Sequence, residues 1–193
     1  MKMQPHQLVN QSSNKRDWMT PTYVLAPARL TMGGIDLDPA SSPLANQTVK
    51  AKNIFTEIEN GLNQPWFGRV WLNWPYGRRE NKLWSAKVLT EIDAGRIEQI
   101  CFICYASTSE TWYQTLLHIP RIDIAGRVPF IDPKTGEPAS QNVKGSSLFY
   151  WGPEVHTFGL MCKGLGPLSV SHNSPRYAIE GFVKYADIRR LVG

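Results

Sequence analysis

The order of apolar runs along the chain is what most constrains its fold. Residues 69–73 predict a strand, residues 79–94 an amphipathic helix, and residues 97–105 a second, buried strand. Three further runs, separated by Gly and Pro turns, are predicted as strands: Arg121–Ile131, Ser147–Trp151 and Val155–Met161. Alternating strands and helices followed by consecutive strands favour an α/β fold with a mostly parallel sheet and an antiparallel edge hairpin.

A helix start and a short acidic strand precede this region. Thr20 and Pro21 form a helix-entry signal, with Thr20 able to cap the helix and Pro21 suited to its first position. Residues 35–38 (Ile-Asp-Leu-Asp) then read as a short strand that ends in acid. Residues 1–16 are polar and predict a loose arm, which leaves residues 17–193 as a single domain.

The composition excludes several classes of protein. With 193 residues, 42% of them hydrophobic, the chain suits one domain with a real core. The formal net charge of +5 weakly favours a polyanionic partner. No stretch approaches the roughly 20 apolar residues that a membrane helix needs. Since the N-terminus also lacks the apolar segment of a signal peptide, we expect the protein to stay in the cytoplasm.

The three cysteines do not indicate a disulfide framework or a metal site. Their odd number argues against a secreted, disulfide-bonded fold. Cys101 and Cys104 lie three apart on the apolar strand 97–105, so their side chains point to opposite faces of the sheet. We therefore predict that both are buried core residues, and we expect no bound metal.

The segment Trp71–Gly77 is an apolar strand that runs into Asn-x-Pro-Tyr, and it carries the candidate chemistry. The exocyclic amine of adenine is a poor nucleophile because its lone pair is delocalised into the ring. Two acceptors on its N–H groups favour a tetrahedral nitrogen with a free lone pair; the Asn73 side chain and the Trp74 carbonyl supply them. The Tyr76 ring can stack on the base. Taken alone, the segment also fits an ordinary turn after a strand.

Other motifs, in order along the chain, make the assignment more specific. Asn73-Trp-Pro-Tyr76 resembles the Asn-Pro-Pro-Tyr signature of amino-methyltransferases, and the wider sequence resembles the small phage-type DNA N6-adenine methyltransferases, the phage Dam-like family. The resemblance spans roughly residues 17–160. Its other matching blocks are Asp17-Trp-Met-Thr-Pro21, Ile35–Ala40, Phe55-Thr56, Glu59–Leu62, Pro65-Trp66, Gly68, Ser107–Trp112, Gly126-Arg127 and Ser147-Leu148.

This resemblance implies a fold, a donor and a set of site residues. It implies the class I methyltransferase fold, a Rossmann-like seven-stranded sheet, with S-adenosylmethionine as methyl donor and a flipped adenine in DNA as acceptor. By position, the implied donor-binding residues are Trp18, Thr20, Pro21, Asp38, Pro39, Ala40, Glu59 and Asn60. The residues implied to hold the target adenine are Asn73, Trp74, Pro75 and Tyr76.

Trp74 departs from the family pattern, which has proline at this position. Tryptophan keeps the backbone carbonyl but lacks the ring that fixes φ and sets the turn. A methyltransferase-fold module that binds DNA or protein without turnover is therefore an alternative function, in which Trp74→Pro should restore activity. Methylation of cytosine N4, RNA or a protein glutamine uses similar acceptors and is a third possibility.

Four basic residues are candidates for contact with DNA phosphates. Arg78 and Arg79 follow the Asn-x-Pro-Tyr turn, and Lys134 and Lys144 lie in a polar loop between predicted strands. Each also fits a plain role, as a solvated helix start or an exposed loop lysine. Similarly, Trp18 fits a core anchor, and Asp38 fits a solvated strand end.

Overall fold

The computed structural model describes residues 18–138 and 144–192, so the arm predicted over residues 1–16 lies outside the described part. The helices are α1 (Thr22–Met32), α2 (Pro43–Val49), α3 (Arg78–Asp93), α4 (Thr111–Gln114), α5 (Val155–Met161) and α6 (Arg176–Val192). The strands are β1 (Leu37–Asp38), β2 (Asn53–Ile54), β3 (Gly68–Asn73), β4 (Ile97–Tyr105), β5 (Arg121–Asp123), β6 (Ser146–Trp151) and β7 (Leu168–Ser169).

Within the described residues, these strands form one seven-stranded sheet in the order β2-β1-β3-β4-β6-β5-β7. The first four strands in that order are parallel to one another. β6 is antiparallel to both β4 and β5, and β7 is antiparallel to β5. The predicted fold class is therefore confirmed: a Rossmann-like sheet, mostly parallel, with antiparallel pairing on one side.

The central strands are buried on both faces, which explains their continuous apolar sequences. Val70, Trp71 and Leu72 of β3 are at most 1% exposed, and residues 100–104 of β4 are fully buried. Cys101 and Cys104 belong to that buried run, as predicted, and both are free thiols. Helix α3 contributes Trp84 and Val88 to the same core.

The predicted strand Val155–Met161 is wrong, because this segment is helix α5. Its buried positions and the residue after it, Val155, Phe158, Gly159 and Cys162, recur at the three- and four-residue spacing of one helical face. A side chain at Gly159 would place its Cβ 2.7 Å from the Tyr185 ring, so glycine allows α6 to pack closely here. The predicted strand over residues 121–131 is also shorter than expected, since β5 ends at Asp123 and a loop follows.

None of the helices in the described ranges is long and apolar enough to span a membrane.

The buried carboxylate of Glu91, in helix α3, contacts residues both before and after that helix in the chain. Glu91 is fully buried; its oxygens lie 2.6 Å from Lys87 Nζ and 2.6 Å from Arg96 Nε. It also accepts the backbone N–H of Trp66, at 3.3 Å. Burial acts to raise the pKa of Glu91, but these hydrogen bonds outweigh it and hold the pKa below its usual value. The charged carboxylate therefore stabilises the fold.

We expect Glu91→Gln to lower the free energy of unfolding at pH 7 by about 1–3 kcal/mol, because the amide keeps the shape but loses the charge. The pKa of Glu91 is lower in the native than in the unfolded protein. The stability difference between wild type and variant is therefore complete above the unfolded pKa and is lost as the pH falls through the native pKa. Urea unfolding of both proteins at several pH values measures the difference. An equal difference at pH 7 and pH 3 would contradict this account.

Candidate active site

The carboxyl ends of three neighbouring parallel strands bring the candidate residues to one edge of the sheet. β1 ends at Asp38, β3 at Asn73 and β4 at Tyr105. Leu37 is in register with Val70, and Asn73 with Ile103. Ligands of open α/β sheets bind at this edge, because the strand ends leave a crevice there.

Three hydrogen bonds fix the Asn73 carboxamide. Its Nδ2 donates to the Trp18 carbonyl (2.9 Å) and to the Thr20 hydroxyl (3.1 Å), while the Tyr76 hydroxyl donates to Oδ1 (2.8 Å). Because the Trp18 carbonyl can only accept, the NH2 must face it and Oδ1 must face Tyr76. No second described group donates to Oδ1, so one of its lone pairs remains for a further donor.

The segment that holds Asn73 is itself tied to a distant loop. Met19 and Ile131 exchange two backbone hydrogen bonds, Met19 N to Ile131 O at 3.0 Å and Ile131 N to Met19 O at 2.9 Å. Helix α1 begins after Pro21, which makes no side-chain capping bond, so the predicted cap at Thr20 is wrong. Instead, the buried Thr20 hydroxyl accepts from Asn73.

Tyr76 lies in an aromatic cluster that the sequence analysis did not identify. Its ring stacks on Tyr105, with centroids 4.1 Å apart, and lies 6.0 Å from the Phe130 ring, with the two planes inclined by 61°. Burial raises the pKa of Tyr76 well above its usual value, so its phenol remains a donor to Asn73 at neutral pH. The parallel pairing of β3 and β4 could have indicated Tyr105, the last residue of β4. Phe130 is brought in by a loop, which no local pattern marks.

Trp74 packs into the core beneath the site. Its side chain is 1% exposed, stacks on Phe102 at 5.8 Å and meets Trp112 edge-on at 6.2 Å. Its indole N–H donates to Asn81 Oδ1 of helix α3, at 2.9 Å. Packing and this hydrogen bond thus restrain the conformation of the turn, as a proline ring at this position would through φ. Among the described residues, no group donates to the Trp74 backbone carbonyl.

Asp38 is a buried acid at the end of β1. It is 3% exposed, and its Oδ1 accepts the Ala40 backbone N–H at 3.2 Å. Burial raises its pKa to about 7, although the Ala40 amide and the Ser41 hydroxyl act in the opposite direction. In the part of the chain that the structure describes, no lysine or arginine forms an ion pair with Asp38.

Asp36, two residues earlier, has a different environment. Its carboxylate pairs with Arg69 Nε of β3 at 2.7 Å and with Lys52 Nζ at 2.8 Å. The hydrogen bond from Arg69 holds the pKa of Asp36 well below its usual range. Asp36 therefore joins β1 to β3 as a charged structural residue, whereas Asp38 has no such cation among the described residues.

The loop that carries Glu59 and Asn60 packs against the end of β1. Asn60 has a left-handed backbone (φ 52°), and a Cβ at Gly61 would clash with the Pro39 carbonyl oxygen. Trp66 Nε1 donates to the Gly61 carbonyl at 2.8 Å. Glu59 is exposed and accepts both the backbone N–H and the hydroxyl of Thr56. The structure thus brings the predicted donor-binding segments 38–40 and 59–60 together.

Basic side chains surround the strand ends unevenly. Arg78 and Arg79 are exposed on the first turn of α3, directly after the 73–76 turn. Lys144 is exposed, with Nζ 5.2 Å from the centre of the Tyr105 ring. Lys134 is exposed in a turn where its backbone N–H donates to Asp132 Oδ1, and no contact between described residues places it beside Asn73. Arg127, not among the predicted contacts, approaches Gly145 next to Lys144.

Comparison with known proteins identifies the family of this chain. A sequence model of the DNA N-6-adenine-methyltransferase (Dam) family matches residues 9–164, most of the chain. The chain belongs to this family. A relative from Haemophilus phage HP1 (strain HP1c1), named DNA N-6-adenine-methyltransferase, is 27% identical over 154 residues, which are 74% of this chain and 82% of the relative. The resemblance to the phage Dam-like methyltransferases is confirmed.

For this member of the DNA N-6-adenine-methyltransferase family, we expect Trp74→Pro to destabilise the protein. The change removes a buried indole from between Phe102 and Trp112, at a cost of about 3–5 kcal/mol. Thermal unfolding of Trp74→Pro against the matched Trp74→Phe, which retains an aromatic ring, measures this. A Trp74→Pro protein as stable as wild type would show that the indole is dispensable.

Proposed function

We propose that this protein transfers a methyl group from S-adenosylmethionine to N6 of an adenine in DNA, after that base has rotated out of the duplex. Family membership supports the reaction class. The observation that carries the assignment is the Asn73 carboxamide, held by three hydrogen bonds with one Oδ1 lone pair free, beside a Trp74 carbonyl that no described group engages.

Two acceptors at this position suit an amine with two N–H groups. Asn73 Oδ1 accepts one N–H and the Trp74 carbonyl accepts the other, so the nitrogen becomes tetrahedral and its lone pair leaves the ring. The orientation is preorganised, since the bonds to Trp18, Thr20 and Tyr76 form within the protein itself. No side chain has to act as a strong base, because the amine sheds its proton to solvent after the new N–C bond forms.

The segments near Asp38 fit a cationic donor. When bound, S-adenosylmethionine supplies an electrophilic methyl group attached to a sulfonium sulfur. After the methyl group is transferred, the rest of the donor departs as a neutral thioether. Asp38 is a buried carboxyl without a cation among the described residues, so a positively charged ligand with hydroxyl donors compensates the cost of its ionisation. In this proposal Trp18, Thr20 and Pro21 approach the donor from the segment before α1, while Pro39, Ala40, Glu59 and Asn60 line it from the β1 end.

The exposed basic residues supply contacts with phosphates. Arg78 and Arg79 project from the turn that follows the adenine-binding residues, and Lys144 lies over the aromatic cluster. Lys134, exposed in a turn, is a further candidate for a phosphate contact. These contacts hold DNA without reading its sequence, because phosphates are the same at every base.

We expect Asn73→Ala to lower methyl transfer about a hundredfold or more, because it removes one preorganised acceptor. Asn73→Asp should also impair turnover, since one carboxylate oxygen then faces the Trp18 carbonyl, where Nδ2 now donates at 2.9 Å. Incorporation of labelled methyl groups into unmethylated plasmid DNA measures both rates.

Tyr76→Phe is the matched control for these variants. It retains the ring but removes the hydroxyl that orients Oδ1, so we expect a smaller loss than for Asn73→Ala. Mass spectrometry of the hydrolysed nucleosides identifies the product as N6-methyladenine or as another base. An Asn73→Ala enzyme with an undiminished rate, or a product other than N6-methyladenine, contradicts the proposal.

Donor binding should depend on pH through Asp38. Its pKa is about 7 in the free protein, so the carboxyl is mostly protonated below pH 7. It must then lose that proton before it can pair with the positive charge of the donor. Donor affinity should therefore fall as the pH drops from 7.5 to 5.5, by up to tenfold per unit, with proton release on binding. Calorimetry in buffers of different ionisation enthalpy detects the proton. The Asp38→Asn control should bind more weakly at pH 7.5 and release none; equal release by both proteins would exclude Asp38.

A further inference from the structure

We propose that the Tyr105 ring occupies the place of the target adenine in the DNA-free protein and is displaced when the base enters. This inference rests on the proposed function and adds a residue to it. Tyr105 stacks on Tyr76 with centroids 4.1 Å apart and planes inclined by 22°. That separation is close to the distance at which an adenine would stack on the same phenol.

The geometry leaves no room for a base between the two rings. A planar base inserted there needs about 7 Å between ring planes, two stacking distances, which is well beyond the observed separation. Phe130 packs against Tyr76 with ring centroids 6.0 Å apart, and Tyr76 is only 8% exposed. An adenine that reaches Asn73 Oδ1 and stacks on Tyr76 therefore requires Tyr105 to move.

Ring packing holds Tyr105 in place, without the hydroxyl hydrogen bond that other described tyrosines form. Tyr76, Tyr113 and Tyr150 each form hydrogen bonds through their hydroxyls, to Asn73, Ser147 and Gln99 respectively. The Tyr105 hydroxyl has no hydrogen-bond partner among the described residues. Its ring is half-buried, and it is the last residue of β4, so its side chain can turn outward without disturbing the pairing of that strand.

Lys144 suggests how the exchange is coupled to DNA. Its ammonium lies 5.2 Å from the centre of the Tyr105 ring, within the range of a cation–π contact. A phosphate that attracts Lys144 draws the ammonium away from the Tyr105 ring. The ring then lacks the cation–π contact that helps to hold it on Tyr76. Displacement of the ring and capture of the backbone thus favour each other.

Displacing the Tyr105 ring costs free energy and so weakens the binding of adenine. Removing the ring should therefore strengthen that binding. The probes are a single-stranded oligodeoxyadenylate, which avoids the cost of flipping, and an oligomer of the same length with abasic sites. The ratio of the two dissociation constants, abasic over adenylate, reports base insertion with the phosphate contacts held constant. We expect Tyr105→Ala to raise this ratio roughly two- to tenfold, the equivalent of one aromatic stack.

Two further variants keep the test decisive. Tyr105→Phe retains the ring and lacks only a hydroxyl without a described partner, so its ratio should equal that of wild type. Tyr105→Trp places a larger ring on Tyr76 and should lower the ratio. A ratio that falls or stays unchanged in Tyr105→Ala overturns the proposal, because the ring would then be a fixed wall or irrelevant to the base.

Methyl transfer by the wild-type protein is measured separately. If wild type forms no N6-methyladenine but the ratio changes as expected, the proposed reaction fails and the role of Tyr105 stands. If wild type methylates DNA and the ratio does not rise in Tyr105→Ala, the reaction stands and the role of Tyr105 fails.

Discussion

The hydrogen bonds of one carboxamide connect three separate parts of the structure. Asn73 at the end of β3 reaches the segment before α1 through Trp18 and Thr20, and the turn after β3 through Tyr76. The segment before α1 is bound in turn to the loop after β5, through Met19 and Ile131. A residue proposed to bind the substrate is thus also the point where the N-terminal segment meets the sheet, and loss of its amide affects both.

The turn after Asn73 shows how packing replaces a covalent restraint. Proline limits φ through its own ring, whereas Trp74 is held by neighbours: Phe102, Trp112 and the Asn81 side chain. The backbone carbonyl, the atom proposed to contact the amine, is unaffected by this exchange. The departure from the family's proline therefore gives no structural support to a protein that binds without turnover.

The two acids near the end of β1 have opposite electrostatic environments. Asp36 is charged and paired with Arg69 and Lys52, so it stabilises the sheet. Asp38 is buried without a described cation, and its pKa of about 7 reflects the cost of ionisation there. A buried carboxyl whose ionisation is unfavourable is typical of a ligand site, because the charge of a bound ligand can stabilise the ionised form where the protein does not.

The sequence by itself determined the fold class and the position of the candidate chemistry. Continuous apolar runs such as 100–105 required a strand buried on both faces, and Asn73-Trp-Pro-Tyr76 followed a strand whose end had to lie at the ligand edge of a parallel sheet. Tertiary structure decided what local patterns cannot contain. It turned Thr20 from a predicted helix cap into a partner of Asn73. The helix at Val155–Met161, by contrast, has apolar residues at three- and four-residue spacing, which the sequence already contains. Tertiary structure also brought Tyr105 and Phe130 to Tyr76, since contacts between residues distant in sequence depend on strand order and loop path.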